Sequence, residues 1–333
     1  MRYLLKLLSP ILFIVNLILF LLFSFFRLNS KLSYSIFRKT FAATGGMSND
    51  FLSYFISKKK NKLKVNDLSD NQLISDRDKD SFESSMREKG YFIFEKGIPD
   101  SILDNLLQEI NSLKPQKLDF VQGKYVKDDD FPNNISSPRY QYRIDELLSK
   151  KTVNKIITDM GIVSLAKKYL KSDPICDLIA CWWSFSFNGG KLAKNKAAQM
   201  YHFDMDRIKF IKFFIYLTDV DLSNGPHCYV ENSHKNLPFF FHRDGRFTDE
   251  EVATSYSKER MKKIVGKKGT LIAVDTRGLH KGLELETGKE RLIFQVQYTN
   301  SLYGHPYPKY SMKKRSDFSN SHIQLLKGVA EIV

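Results

Sequence analysis

Two histidines and one aspartate are spaced as metal ligands: His202-Phe203-Asp204, then His280 in Leu279-His280-Lys281-Gly282. Arg291 follows eleven residues after His280. Two imidazoles and a carboxylate on one face of an ion suit non-haem Fe(II), because they leave coordination positions open. Three of the six positions of octahedral iron would belong to the protein, two to a bidentate 2-oxo acid and the last to O₂. The chemistry on offer is an oxidation that consumes O₂ and a 2-oxo acid.

These side chains need a rigid frame. On a strand, residues i and i+2 point to one face, so His202 and Asp204 can reach one ion together. The following run, Met205 to Leu217, is rich in β-branched and aromatic residues and reads as strand. His280 must return on another strand of the same sheet or barrel. The segment from Arg291 to Tyr298 alternates as a further strand, with Arg291, Ile293, Gln295 and Gln297 on one face. An inward arginine in an apolar barrel needs an anion, and its fixed fork matches a carboxylate. The distal carboxylate of 2-oxoglutarate is the natural candidate. Lys212 and Tyr216 share parity with His202 and Asp204 and are candidates to hydrogen-bond the co-substrate, unless a bulge turns them outward.

The chain at this point resembles a family. His202-x-Asp204, Tyr216-Leu217-Thr218-Asp219-Val220-Asp221-Leu222-Ser223-Asn224-Gly225-Pro226, Asn232-Ser233-His234-Lys235, Asp275-Thr276-Arg277-Gly278-Leu279-His280-Lys281-Gly282 and Arg291 look like the phytanoyl-CoA dioxygenase family of Fe(II)/2-oxoglutarate oxygenases. Lys89-Gly90-Tyr91-Phe92-Ile93-Phe94 and Ile98-Pro99-Asp100 fit its opening, so the likeness covers roughly residues 88–300. It implies a mainly β fold with flanking helices around a double-stranded β-helix, the jelly-roll or cupin-like core. It implies Fe(II) on His202, Asp204 and His280, 2-oxoglutarate on Arg291, and O₂ as the oxidant. Gln199 is a further co-substrate contact by the same resemblance. The chain departs from the family at Val230-Glu231, where a Pro-Gly is common before Ser-His, and in the long basic segment Phe239 to Lys268, expected to be a lid or surface loop.

The N-terminus carries a second signal. Leu7 to Phe26 is free of charge and dense in Leu, Ile and Phe. A helix of that length spans about 30 Å, the thickness of a bilayer core. The reading is an uncleaved transmembrane helix. A cleaved signal peptide is the rival, but Phe25-Phe26-Arg27-Leu28-Asn29 is a poor cleavage site. A buried soluble helix fits less well with a segment apolar all round. Arg2 and Lys6 precede the span, whereas Arg27, Lys31, Arg38 and Lys39 follow it, which places the catalytic domain in the cytoplasm. Three cysteines, Cys176, Cys181 and Cys228, lack zinc spacing and fit a reducing compartment. The formal charge of +15 and the Lys58-Lys59-Lys60-Asn61-Lys62 run suit anionic lipid headgroups, or simply keep an anchored domain soluble. No nucleic-acid recognition motif is present.

The expected organisation is a membrane anchor over 1–30, a basic and polar juxtamembrane linker over 31–84, the dioxygenase domain over 85–305 and a C-terminal extension over 306–333. Asp100 or Ser101 caps a helix that Pro115 stops, and Ile144 to Leu170 holds two helical patterns around Gly161. Of the Trp182-Trp183 pair, Trp183 is the candidate for the substrate pocket and the other ring for the core. His227 and His234 read as turn residues rather than ligands. The function expected is a membrane-anchored hydroxylase of a small-molecule or lipid-like substrate. The rival is a membrane-tethered jelly-roll module that binds metal or ligand without turnover.

Overall fold

Period-two patterning in the second half of the chain folds into two facing antiparallel sheets. The computed structural model describes residues 2–69, 73–74, 78–94, 97–187, 190, 195, 197–235 and 237–333. The strands of the sheets are β1 (Tyr91–Phe94), β2 (Gln116–Asp119), β3 (Lys124–Val126), β4 (Arg139–Gln141), β5 (Ile175–Phe185), β6 (Phe210–Tyr216), β7 (His227–Val230), β8 (Met261–Ile264), β9 (Leu271–Val274), β10 (His280–Gly282) and β11 (Glu290–Thr299). Among the described residues the larger sheet has the order β1-β9-β6-β11-β5-β4-β2-β3 and the smaller β10-β7-β8.

Alternation along β11 decides what each face does. Arg291, Ile293 and Gln295 pair with Ser184, Trp182 and Ala180 of β5, while Ile293, Gln295 and Gln297 pair with Tyr216, Phe214 and Lys212 of β6. This face looks across at the small sheet. There Tyr229 and Ile264 complete an apolar layer with Trp182, Phe214, Ile272 and Ile293. The opposite face, with Leu292, Phe294 and Val296, is covered by helices and forms the main core. Each fully buried Leu or Phe contributes roughly 1.5–3 kcal/mol.

The helices are α1 (Arg2–Leu7), α2 (Ser9–Phe26), α3 (Lys31–Thr44), α4 (Met47–Ser57), α5 (Asp78–Glu88), α6 (Asp100–Asn111), α7 (Ile144–Leu148), α8 (Lys151–Ile157) and α9 (Met160–Leu170). The stretch from Ile144 to Leu170 holds three helices rather than two. Asp159 breaks the chain before Gly161 by accepting a hydrogen bond from Ile162 N at 2.9 Å, which caps α9.

Two other expectations change. The strand expected over Met205 to Leu217 is confined to β6, because Arg207 turns inward. Its guanidinium is buried on Asp177 and on the carbonyls of Leu302 and His305. The linker expected over 31–84 is also folded in its described part. Ser30 caps α3 by accepting from Ser33 N at 3.1 Å, and Gly45 ends it at φ 61°, a conformation that costs glycine little. Phe37, Phe41, Leu52 and Ile56 of α3 and α4 are buried with Tyr201, Phe203 and Tyr303. These helices are amphipathic enough to dock, and lysine-rich sequence around them masked that.

Helix α2 is long and apolar enough to cross a membrane by length and composition. It lies against the folded domain: Asn16, Phe20 and Phe23 are its buried residues. The C-terminal segment also packs on the main core through Met312, Phe318, Leu325 and Leu326.

Candidate active site

His202 and His280 meet across an isolated antiparallel bridge. His202 N donates to His280 O at 3.0 Å, and His280 N donates to His202 O at 2.8 Å. Asp204 N donates to Thr276 O at 2.8 Å, which holds the third residue beside the pair. The two imidazoles and the carboxylate bring one ligand atom each within 4.8 Å of one another. Asp204 Oδ1 lies 3.8 Å from His202 Nε2, and Oδ2 lies 3.6 Å from His280 Nε2. The triad read from the sequence is thus assembled, although His202 sits in a bridge and Asp204 in an irregular stretch before β6 rather than on it.

Backbone carbonyls orient both rings. His202 Nδ1 is 2.9 Å from Met200 O, and His280 Nδ1 is 3.0 Å from Gly278 O. A carbonyl can only accept, so each Nδ1 carries the proton and each Nε2 turns its lone pair to the centre. Burial pushes both imidazoles below the usual histidine range, His202 furthest, and the nearby Arg246 adds to it at both. Neutral imidazoles are what a metal needs.

The loop before His280 is braced. Leu279 N donates to Ser233 Oγ at 2.7 Å, and Ser233 Oγ donates to Val230 O. A Cβ on Gly278 would come 2.2 Å from Tyr229 Oη, so only glycine fits there without a shift. Asp275 accepts from Arg277 Nε and Nη2 and from Tyr169, and Arg277 Nη1 reaches Asp50 of α4 at 2.9 Å.

Lys212 faces inward from β6. Its Nζ lies 2.7 Å from Asp204 Oδ2 and 3.4 Å from Asp206 Oδ2. Burial alone would raise the Asp204 carboxyl, but the Lys212 ammonium beside it outweighs that and holds it far below the carboxylate range. Burial would lower Lys212, and the two aspartates reverse that. The lysine therefore serves the metal carboxylate.

Arg291 is buried in the same interior. Among the described residues its Nη2 reaches Ser184 Oγ at 3.4 Å, while Nε and Nη1 have no partner. Tyr216 lies near it, with its hydroxyl donating to Ile264 O at 2.7 Å and accepting from His227 N at 3.1 Å. Gln199 follows Ala198, whose carbonyl accepts from Gly282 N at 3.0 Å near the Arg291 fork.

Trp183 is not in this interior. It pairs with Leu292 on the helix-covered face, and its Nε1 donates to Tyr142 Oη at 3.1 Å. Trp182 is the inward ring, with the Arg139 guanidinium 4.2 Å from its centroid. Sequence reasoning also missed His227. Its ring stacks 5.5 Å from that of His280, it is buried, and its Nε2 has no partner among the described residues. The Gly-Pro turn before it hid the fact that His227 opens β7 and pairs with Gly282 of β10.

The metal side opens into a cavity of about 540 Å³. Besides His202 and Asp204, its wall includes Tyr34 and Arg38 of α3, Asp206, and Arg246, whose Nε donates to Asn195 Oδ1 at 2.9 Å. The segment expected as a lid supplies Arg246, while α3 contributes a wall that no motif announced.

The chain is similar to several solved structures. EctD from S. alaskensis, solved with 2-oxoglutarate and 5-hydroxyectoine, superposes at TM-score 0.50 with 15% identity, over 72% of this chain and 83% of that one. AviO1 from Streptomyces viridochromogenes Tue57 gives TM-score 0.48 and 15% identity over 71% and 100%. HygX from Streptomyces hygroscopicus, with nickel, 2-oxoglutarate and hygromycin B, gives 0.46 and 12% over 70% and 90%. No curated protein matches by sequence. The family model described as "Phytanoyl-CoA dioxygenase (PhyH)" matches residues 86–293. With its His202, Asp204 and His280 centre inside a two-sheet frame, the chain belongs to the phytanoyl-CoA dioxygenase family of Fe(II)/2-oxoglutarate-dependent oxygenases.

Proposed function

We propose that the protein hydroxylates an unactivated C–H bond of a small-molecule or lipid-like substrate and releases succinate and CO₂. His202, Asp204 and His280 would hold Fe(II), and Arg291 would hold the distal carboxylate of 2-oxoglutarate. The observation that carries this reading is Arg291: a buried guanidinium whose Nε and Nη1 have no partner among the described residues, in the same interior as the triad. A buried fork left without an acceptor is costly, and a carboxylate satisfies it with charge-assisted hydrogen bonds. The bound metal and co-substrate supply the oxidising chemistry.

The chain's own residues do the placing. Lys212 holds Asp204 toward the histidines, and Tyr216 positions His227 beside His280. His227 and Gln199 complete the co-substrate side, and the apolar layer around Trp182 and Phe214 keeps bulk water from it. A carboxylate at position 204 also supports hydroxylation over halogenation, because a halide would need that coordination position. Arg246 suits a polar or anionic group on the substrate, whereas Arg38 beside it is paired with Asp244. The apolar α2 supports attachment to a membrane, and three free cysteines, Cys176, Cys181 and Cys228, support a domain in the reducing cytoplasm.

The test is spectroscopic. Under anaerobic conditions, Fe(II) and 2-oxoglutarate should give the weak visible charge-transfer band of the chelate, and O₂ should then yield succinate. A folded protein with neither band nor succinate would favour a binding module instead.

A further inference from the structure

We infer that the N-terminal helices form a surface that lies in the plane of an anionic lipid bilayer, so that α2 rests on the membrane face rather than crossing it. This deepens the membrane attachment proposed above and is independent of the iron chemistry, since vesicle binding is read without turnover.

The two sides of α2 differ in what covers them. Asn16, Phe20 and Phe23 face the domain. Ile11, Ile14, Ile18, Leu21, Leu22 and Phe25 are exposed, and their spacing of three, four or seven residues places them on the opposite stripe. Helix α4 repeats the pattern with Met47, Phe51, Tyr54 and Phe55 exposed, and the half-buried ring of Phe13, 5.2 Å from that of Phe51, packs α2 against α4. Of the 21 exposed large apolar side chains among the described residues, 17 lie between Tyr3 and Phe55. A continuous apolar face of that kind marks a partner or a membrane.

Charge selects the membrane. Residues 1–66 contain eleven Lys and Arg against the single acid Asp50. Exposed Lys6 precedes α2, Arg27 and Lys31 follow it, and Lys58 to Lys60 follow α4. Basic residues at the ends of an apolar face are drawn to anionic headgroups, each by about 1 kcal/mol.

A span conflicts with the docking. Asn16 lies near the middle of α2, is 1% exposed, and accepts from Tyr303 Oη at 2.8 Å. Thr40 Oγ1 of α3 donates to Leu12 O at 3.2 Å, and Phe20 packs edge-on against Tyr303 at 5.7 Å. The centre of a spanning helix sits about 15 Å from either headgroup layer. Tyr303 and its domain, with buried Arg207 nearby, would have to follow it into hydrocarbon. Lying flat satisfies both sides of α2. It also sets the metal cavity beside the lipid interface, because α3 supplies Tyr34 and Arg38 to its wall.

The experiment uses the full chain. It is mixed with preformed vesicles of phosphatidylcholine alone or with phosphatidylglycerol, and binding is read by flotation. Lys6→Cys and Lys289→Cys are then probed with a membrane-impermeant maleimide; the native cysteines are buried and give little background. The expected result is binding at least about tenfold tighter on the anionic vesicles, with both introduced cysteines labelled from outside. Phe51→Asp with Phe55→Asp, on the exposed stripe of α4, should reduce flotation about tenfold or more. Their Fe(II)/2-oxoglutarate band should be intact, which separates lost docking from lost fold. Lys6→Cys labelled only after detergent, with Lys289→Cys labelled at once, would overturn the proposal in favour of a span. So would absence of vesicle binding, or a lipid-free dimer that the two aspartates dissociate. Vesicle binding without the band from the native chain would leave this inference standing and sink the iron reading.

Discussion

Lys212 Nζ stands 2.7 Å from Asp204 Oδ2, so the aspartate of the candidate metal triad is already one half of a buried ion pair. Removing one member of a buried pair leaves an uncompensated charge and typically costs about 3–5 kcal/mol. Lys212→Met should lower the melting temperature of the metal-free protein, and a divalent cation should restore most of that loss by replacing the missing charge. Thermal shifts with and without Mn(II) measure it. Equal metal-induced shifts in the variant and the native chain would show that Lys212 does not neutralise Asp204.

Arg291 offers a carboxylate two nitrogens, Nε and Nη1, that have no partner among the described residues. Arg291→Ala should weaken 2-oxoglutarate about 10–100-fold, equivalent to roughly 1.4–2.7 kcal/mol, with iron affinity retained. Arg291→Lys should recover part of the loss, since an ammonium supplies charge without the fork. Anaerobic titration of the charge-transfer band reports co-substrate affinity directly, and unchanged affinity in Arg291→Ala would move the carboxylate site elsewhere.

His234 gives a pH dependence with a definite sign. Burial holds its imidazole down at about 4, despite the opposing charge of Asp275. The unfolded chain, with an ordinary histidine near 6.5, binds the proton first. Stability should therefore begin to fall as pH drops through about 6.5 and level off below about 4, by roughly 3 kcal/mol in all from this residue. Urea midpoints across that range, compared with those of His234→Gln, isolate it. A variant with the same slope as the native chain would place the titration elsewhere.

The tryptophan pair distinguishes the two faces of β5. Trp182→Ala should cost about 3–5 kcal/mol and disturb co-substrate binding, because the ring fills the layer between the sheets. Trp183→Phe keeps most of its packing and loses one hydrogen bond to Tyr142, about 1 kcal/mol. Its 2-oxoglutarate affinity should be that of the native chain, and a large change would put Trp183 back at the site.

The legible part of this site is the part that local periodicity encodes. Ligand types at i and i+2, and an arginine in phase with Ile293, Gln295 and Gln297, carry their chemistry in their spacing. The face of β11 was therefore readable, and the register of β5 against it bears that out. The parity of Trp182 and Trp183 was not readable, because adjacent residues exchange faces with a one-residue change of register. His227 was hidden for a related reason: a Gly-Pro turn announces a loop, while only the pairing of β7 with β10 reveals the ring beside His280.

The sequence alone determined the candidate triad, the inward phase of Arg291, the family and the presence of an apolar N-terminal helix, since each depends on residue type and short-range period. Tertiary structure decided that Lys212 serves Asp204, that α3 walls the metal cavity and that α2 lies along the domain through Asn16 and Tyr303. Those relationships join segments up to 287 residues apart. Their energies come from burial and hydrogen bonding between surfaces that exist only once the sheets have closed, so no local pattern records them.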